Sequence, residues 1–145
     1  MIKKTLVLLV LLVSSIVVFS QNKDALVGKW LNAGDDAQIL IYKNSDRYLG
    51  KLVWLKNASD DAGKPKLDTR NPNLPLSKRP LLGSEILNGF TYGEPGTWEG
   101  GTMYDPKTGR TYSCKISLMG TDKINVRCFV GISMLGRTET WSRVR

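Results

Sequence analysis

The sequence predicts an all-β fold of about eight short antiparallel strands, closed as a barrel or stacked as a sandwich. Three observations carry that expectation. Apolar and polar residues alternate through most of residues 97–144, clusters of Gly, Pro, Asn and Asp recur at short spacing, and no segment after residue 25 holds a long helical period.

The chain opens differently. Lys3 and Lys4 precede an apolar run over 6–13, Ser14 and Ser15 interrupt it, 16–19 resume it, and Ser20-Gln21-Asn22 turn polar. A basic start, an apolar middle and tolerated residues at Val18 and Ser20 are the features of a secretory signal peptide cut after Ser20. A retained membrane anchor needs roughly 20 unbroken apolar residues, which the two serines deny it. No cysteine stands near the cut to accept a lipid. The expected organisation is therefore a signal peptide over 1–20 and one periplasmic or secreted domain over 21–145, monomeric, with no transmembrane segment after cleavage. Its length, about 125 residues, suffices for a single core.

Removing Lys3 and Lys4 leaves 19 of the 21 basic residues against 13 acidic ones, a charge of +6. The Lys and Arg are scattered rather than interleaved with stacking aromatics, and export removes the partner, so nucleic-acid binding is not expected.

Strands are expected over 26–32, 37–43 and 47–55, rich in aliphatic, aromatic and β-branched residues and separated by turns at 33–36 and 44–46. Residues 56–80 carry Pro65, Pro72, Pro75 and Pro80 with no period, and form a long loop of the kind that is functional or disordered. A helical turn is expected at 84–87. Strands then follow over 97–104, 110–118, 123–130 and 135–144, joined by turns at 105–109 and 119–122.

Period-2 alternation puts Tyr112, Cys114, Ile116 and Leu118 on one face, and Ile124, Val126, Cys128 and Val130 on one face of the next strand. Pairing Leu118 with Ile124 sets Cys114 opposite Cys128, within disulfide reach, and export supplies an oxidising compartment. A shift of two residues would place Cys114 opposite Val126 and leave both thiols as small core groups.

The chain has no histidine. Ser-His-Asp or Cys-His catalysis and His-ligated zinc are thereby excluded, and neither cysteine has the partner an activated thiol needs. No catalytic residue, cofactor or metal site is expected. Carboxylates near strand ends (Glu85, Glu94, Glu99, Asp105, Glu139) leave room for a carboxylate-dependent hydrolase as a third-ranked reading. Asp60, Asp61 and Asp68 fit no calcium loop. Trp30, Trp54, Trp98 and Trp141 lie on four separate strands and are first of all core material.

Gly28-Lys29-Trp30 on the first strand, with Arg143 and Arg145 on the last, resembles the Gly-x-Trp and C-terminal Arg arrangement of lipocalin-like (calycin) barrels. More of the chain enters a second resemblance: GKW (28–30), YLGKLVWL (48–55), LDTRNP (67–72), RPLLGSEIL (79–87), WEGGTMYDPKTGRTY (98–112), INVRCFVG (124–131) and LGRTETWSRV (135–144), in this order, are similar to the exported bacterial family catalogued as domain of unknown function 2147. That resemblance implies an up-and-down lipocalin-like barrel and export, and brings no activity, catalytic residue or cofactor with it. Cys128 departs from the family pattern, so a bridge would be a feature of this chain.

The leading expectation is a barrel holding a small apolar or amphipathic molecule under the 56–80 loop, with Trp54, Trp98 and Tyr104 in its lining. Asp68, Arg70, Asn71 and Arg79 are polar residues in that loop, either recognition groups at a barrel mouth or an internal salt bridge and Asx-turns that pin the loop. The alternative is an envelope protein with a filled barrel, binding a partner protein or cell-wall polymer on its surface.

Overall fold

A computed structural model describes residues 22–130 and 136–145; the expected signal peptide lies outside the described residues. Among them are eight strands: β1 (Gly28–Leu31), β2 (Ala37–Asn44), β3 (Arg47–Leu55), β4 (Glu85–Tyr92), β5 (Thr97–Asp105), β6 (Arg110–Met119), β7 (Lys123–Phe129) and β8 (Gly136–Arg143). Each pairs antiparallel with the next. β1 closes on β8 through Trp30 opposite Arg143 and Leu31 opposite Ser142, so the sheet is a barrel and not a sandwich.

Alternation decides which side chains point inward. Ala37, Ile39 and Ile41 of β2 and Ile124, Val126 and Cys128 of β7 are buried at every second position, as a pleated strand requires. β6 and β7 take the register that opposes Leu118 to Ile124 and Cys114 to Cys128, and the two sulfurs form a disulfide with Cα atoms 4.1 Å apart.

The two ends differ. At one, Trp30, Trp98, Tyr48 and Phe90 fill the interior and are almost fully shielded from solvent. The Tyr48 and Tyr92 rings pack on Trp98 at 6.2 and 5.5 Å between centroids. A 3-10 turn, Lys23–Leu26, seals this end, started by the Asn22 side chain accepting the Asp24 N–H. Its groups answer the polar tips of the buried aromatics: Trp30 Nε1 donates to the Leu26 carbonyl at 2.9 Å, Trp98 Nε1 to the Lys23 carbonyl at 3.1 Å, and the Tyr48 hydroxyl to Asp24 at 2.7 Å.

Two expectations are corrected. Residues 84–87 form no helical turn: Glu85 begins β4, whose Leu87 and Phe90 both point inward because Gly89, at φ 76, and a register shift break the two-residue period. The first strand is shorter than 26–32, since Leu26 belongs to the sealing turn. The long loop runs from 56 to 84 across the other end, ordered by bridges between Ser59 and Pro65 and between Leu67 and Pro80 and by a 3-10 turn, Leu76–Lys78.

Candidate ligand site at the open end

Where β1, β3, β5 and β7 end and β2, β4, β6 and β8 begin, the interior is not filled. A cavity of about 420 Å³ opens there, walled by Ile39, Leu52, Leu55, Ile86, Met103 and Trp141. Below Trp141 the packed aromatics close the floor. A side recess of about 140 Å³ reaches along Tyr112, Val126 and Cys128 and shares Met103, Asp105, Arg137 and Glu139 with the main cavity.

The rim is polar and largely self-paired. Arg137 Nη2 lies 2.7 Å from Glu139 Oε1, and the Trp141 indole donates to Glu139 Oε2 at 3.4 Å. These three are alternate residues of β8 and therefore share its inward face. Lys107 Nζ lies 2.9 Å from Asp36 Oδ2. Asn32 also donates to Asp36, and these two contacts hold its carboxyl below the usual carboxylate range, the Asn32 hydrogen bond leading. The same pair raises the Lys107 ammonium. Asp105 is spent on its own turn, accepting from the Lys107 N–H and the Thr108 hydroxyl. The two candidate carboxylates that reach the cavity, Asp105 and Glu139, are thus both engaged by neighbours. Among the described residues no group of three or more metal-ligating side chains is assembled.

The sequence-predicted site residues fall in other places. Trp98 does not line the cavity: it is fully buried in the filled end. Trp54 points outward and is 39% exposed, because the register of β2 against β3 shifts so that Gln38 faces Trp54 while Ile39 faces Leu52, which turns Leu55 inward instead. Tyr104 does border the cavity, but its hydroxyl is directed at Asp68, 2.6 Å away.

Asp68 is the hub of a closed network. Its carboxylate accepts from Tyr104, from Asn71 Nδ2 at 2.9 Å and from Arg79 Nε at 3.0 Å, and only 1% of the residue is exposed. Asp68, Asn71 and Arg79 thus form the internal salt bridge and hydrogen bonds that pin the loop. Burial and the Asp68 carboxylate together push the Tyr104 hydroxyl up to about 12. Arg70 stands apart, donating to the Lys107 carbonyl at 2.9 Å. The backbone crosses so closely here that a Cβ on Gly109, whose φ is 75, would lie 2.1 Å from the Arg70 oxygen.

Missed by sequence reasoning were Ile86, Leu55, Met103 and the Arg137–Glu139 pair. Glu139 was singled out only as a carboxylate near a strand end; the alternation that places Arg137, Glu139 and Trp141 on one face is a readable signal for it.

A family model described as an uncharacterized protein conserved in bacteria (DUF2147) matches residues 28–143. The chain belongs to this family. Among solved structures, the DUF2147 chain is similar to protein HP1028 from the human pathogen Helicobacter pylori, described as belonging to the lipocalin family, with a TM-score of 0.72 at 19% identity over 83% of each chain. At that identity the likeness shows the fold, an eight-stranded lipocalin-like barrel. The comparison with curated proteins gives no match.

Proposed function

We propose that this DUF2147 protein is exported and binds one small amphipathic molecule in the cup at the open end of its barrel. The observation that carries the reading is the cup itself, about 420 Å³ walled by six apolar side chains beneath a polar rim. That volume lies in the range of small-molecule sites, which join mostly apolar walls to a few placed polar groups. The lipocalin-like architecture supports it, since barrels of this size hold one small ligand. Export rests on the basic and apolar leader of residues 1–20. The filled half limits the ligand to the upper part of the barrel, so a single medium-length alkyl chain or one ring system fits better than a two-chain lipid.

The test is native mass spectrometry with organic extraction of the mature protein purified from its own periplasm or culture medium. A co-purifying small amphiphile is expected. A bare polypeptide that also fails to take up medium-chain alcohols or acids at sub-micellar concentration would overturn the reading. A second reading, docking of a partner protein, is favoured by the loop leucines Leu74, Leu76 and Leu82, which are 76, 41 and 47% exposed; capture of a partner whose binding is lost on Leu74→Ser would favour it.

A further inference from the structure

We propose that the ligand carries a phosphate-bearing headgroup that sits outside the barrel, on a cationic groove of the long loop, while its apolar part occupies the cup; the inference rests on the reading of the cup as a ligand site. The groove, about 690 Å³, lies between the loop at 60–70 and the β5–β6 turn. Four cations line it, Lys64, Lys66, Arg70 and Lys107, against a single acid, Asp60. Asp60 is turned into its own backbone, with Oδ1 accepting the N–H groups of Ala62 and Lys64, both at 2.9 Å. Lys107 is paired with Asp36, but Lys64 and Lys66 make no ion pair among the described residues, and Arg70 uses its guanidinium on one backbone carbonyl.

Two features separate this groove from an ordinary basic surface. Its backbone is fixed: the Lys66 N–H donates to the Ala58 carbonyl and the Lys66 carbonyl accepts from Leu81, both at 2.9 Å, and Arg70 is seated against Gly109. The ammonium groups therefore extend from an ordered platform, which reduces the ordering cost of binding. The groove also adjoins the cup, since Lys66, Leu81, Pro106 and Lys107 border both. The proposed ligand lies across these shared residues.

The chemistry of the headgroup follows from charge. A single carboxylate offers two oxygens and one charge, whereas a phosphate monoester brings three strong acceptor oxygens and nearly two charges, matching two free ammonium groups and a guanidinium edge. Lysine suits phosphate as a point charge and arginine as a planar fork.

Binding of dodecyl phosphate, dodecanol and inorganic phosphate to the mature protein, below micellar concentrations and followed by calorimetry, tests this. Dodecyl phosphate is expected to bind about tenfold or more tightly than dodecanol, a gain of the size charge-assisted contacts give. The gain should shrink several-fold in the Lys64→Ala variant, whose dodecanol affinity stays unchanged because Lys64 borders the groove and not the cup, and should shrink as salt is raised. Equal binding of dodecyl phosphate and dodecanol overturns the headgroup assignment and leaves the cup reading standing. Inorganic phosphate binding as tightly as dodecyl phosphate overturns it too, identifying free phosphate as the source of the anion. Failure of both amphiphiles overturns the cup reading and this inference with it.

Discussion

The Arg143 guanidinium lies 4.3 Å from the centre of the Trp30 ring, at the closing pair of the barrel. Its three nitrogens donate to the carbonyls of Thr121 at 3.0 Å, Val27 at 3.3 Å and Ala25 at 2.7 Å. One side chain thus ties the β6–β7 side of the base to the sealing turn while covering the first tryptophan. Gly28, at φ 140, leaves the space: a Cβ there would come within 2.9 Å of Arg143 Nη1.

Arg143→Ala is expected to lower stability by about 2–4 kcal/mol, from loss of the cation–π contact and of charge-assisted bonds to three carbonyls. Urea denaturation followed by tryptophan fluorescence measures it. Arg143→Lys should recover less than half, since an ammonium cannot span the three acceptors.

Asp68→Ala leaves Tyr104, Asn71 and Arg79 without their acceptor. A loss of about 2–4 kcal/mol is expected for breaking such a buried network. Limited proteolysis should cut first within residues 56–84, with the barrel strands protected; cleavage starting elsewhere would contradict the role of Asp68 as the pin of the loop.

Tyr104 and Tyr48 both have hydroxyls pushed up to about 12, first by burial and then by the carboxylates of Asp68 and Asp24. A raised folded-state value means that the native protein keeps a proton which the unfolded chain releases near pH 10, so stability falls as pH rises from about 10 towards 12 and is intact below that window. Ultraviolet titration should show these two phenols ionising last, and Asp68→Asn should bring the Tyr104 transition down.

Reducing the Cys114–Cys128 bridge, or replacing both residues with serine, should cost about 3 kcal/mol, the value for a closed loop of about 15 residues. Thermal melting with and without reductant reads this directly. An unchanged melting temperature would show that the β6–β7 ladder alone holds this edge.

Ala37→Phe projects a ring into the cup from β2. Dodecanol affinity is expected to fall by about tenfold or more, with the melting temperature near wild type because the ring enters open space.

Much of the barrel was legible because its strands obey one rule. Ile124, Val126 and Cys128 repeat every second residue, and so do Cys114 and Ile116 on the facing strand, which narrowed the register to two choices; the structure takes the one that opposes Cys114 to Cys128. β4 was not legible, since Leu87 and Phe90 lie three apart around Gly89 and imitate a helical step. Trp54 was misplaced for the same reason: a register shift reverses parity, and no residue type announces it. In the site, Asp68, Asn71 and Arg79 were visible as polar residues needing an explanation, but the partner that completes them, Tyr104, stands 36 positions away. A hollow barrel was expected, but the lining of the cup was hidden because space depends on how far strands diverge, not on which residues they carry.

Dividing the barrel into a packed half and an open half also divides what substitution can reach. The aromatic base holds the packed core, while the 32–36 turn, the 56–84 loop and the 106–109 turn meet at the opposite end and carry none of the buried aromatics. Descendants of one such scaffold can exchange those three segments, and with them the shape and charge of the open end, without reopening the question of whether the chain folds.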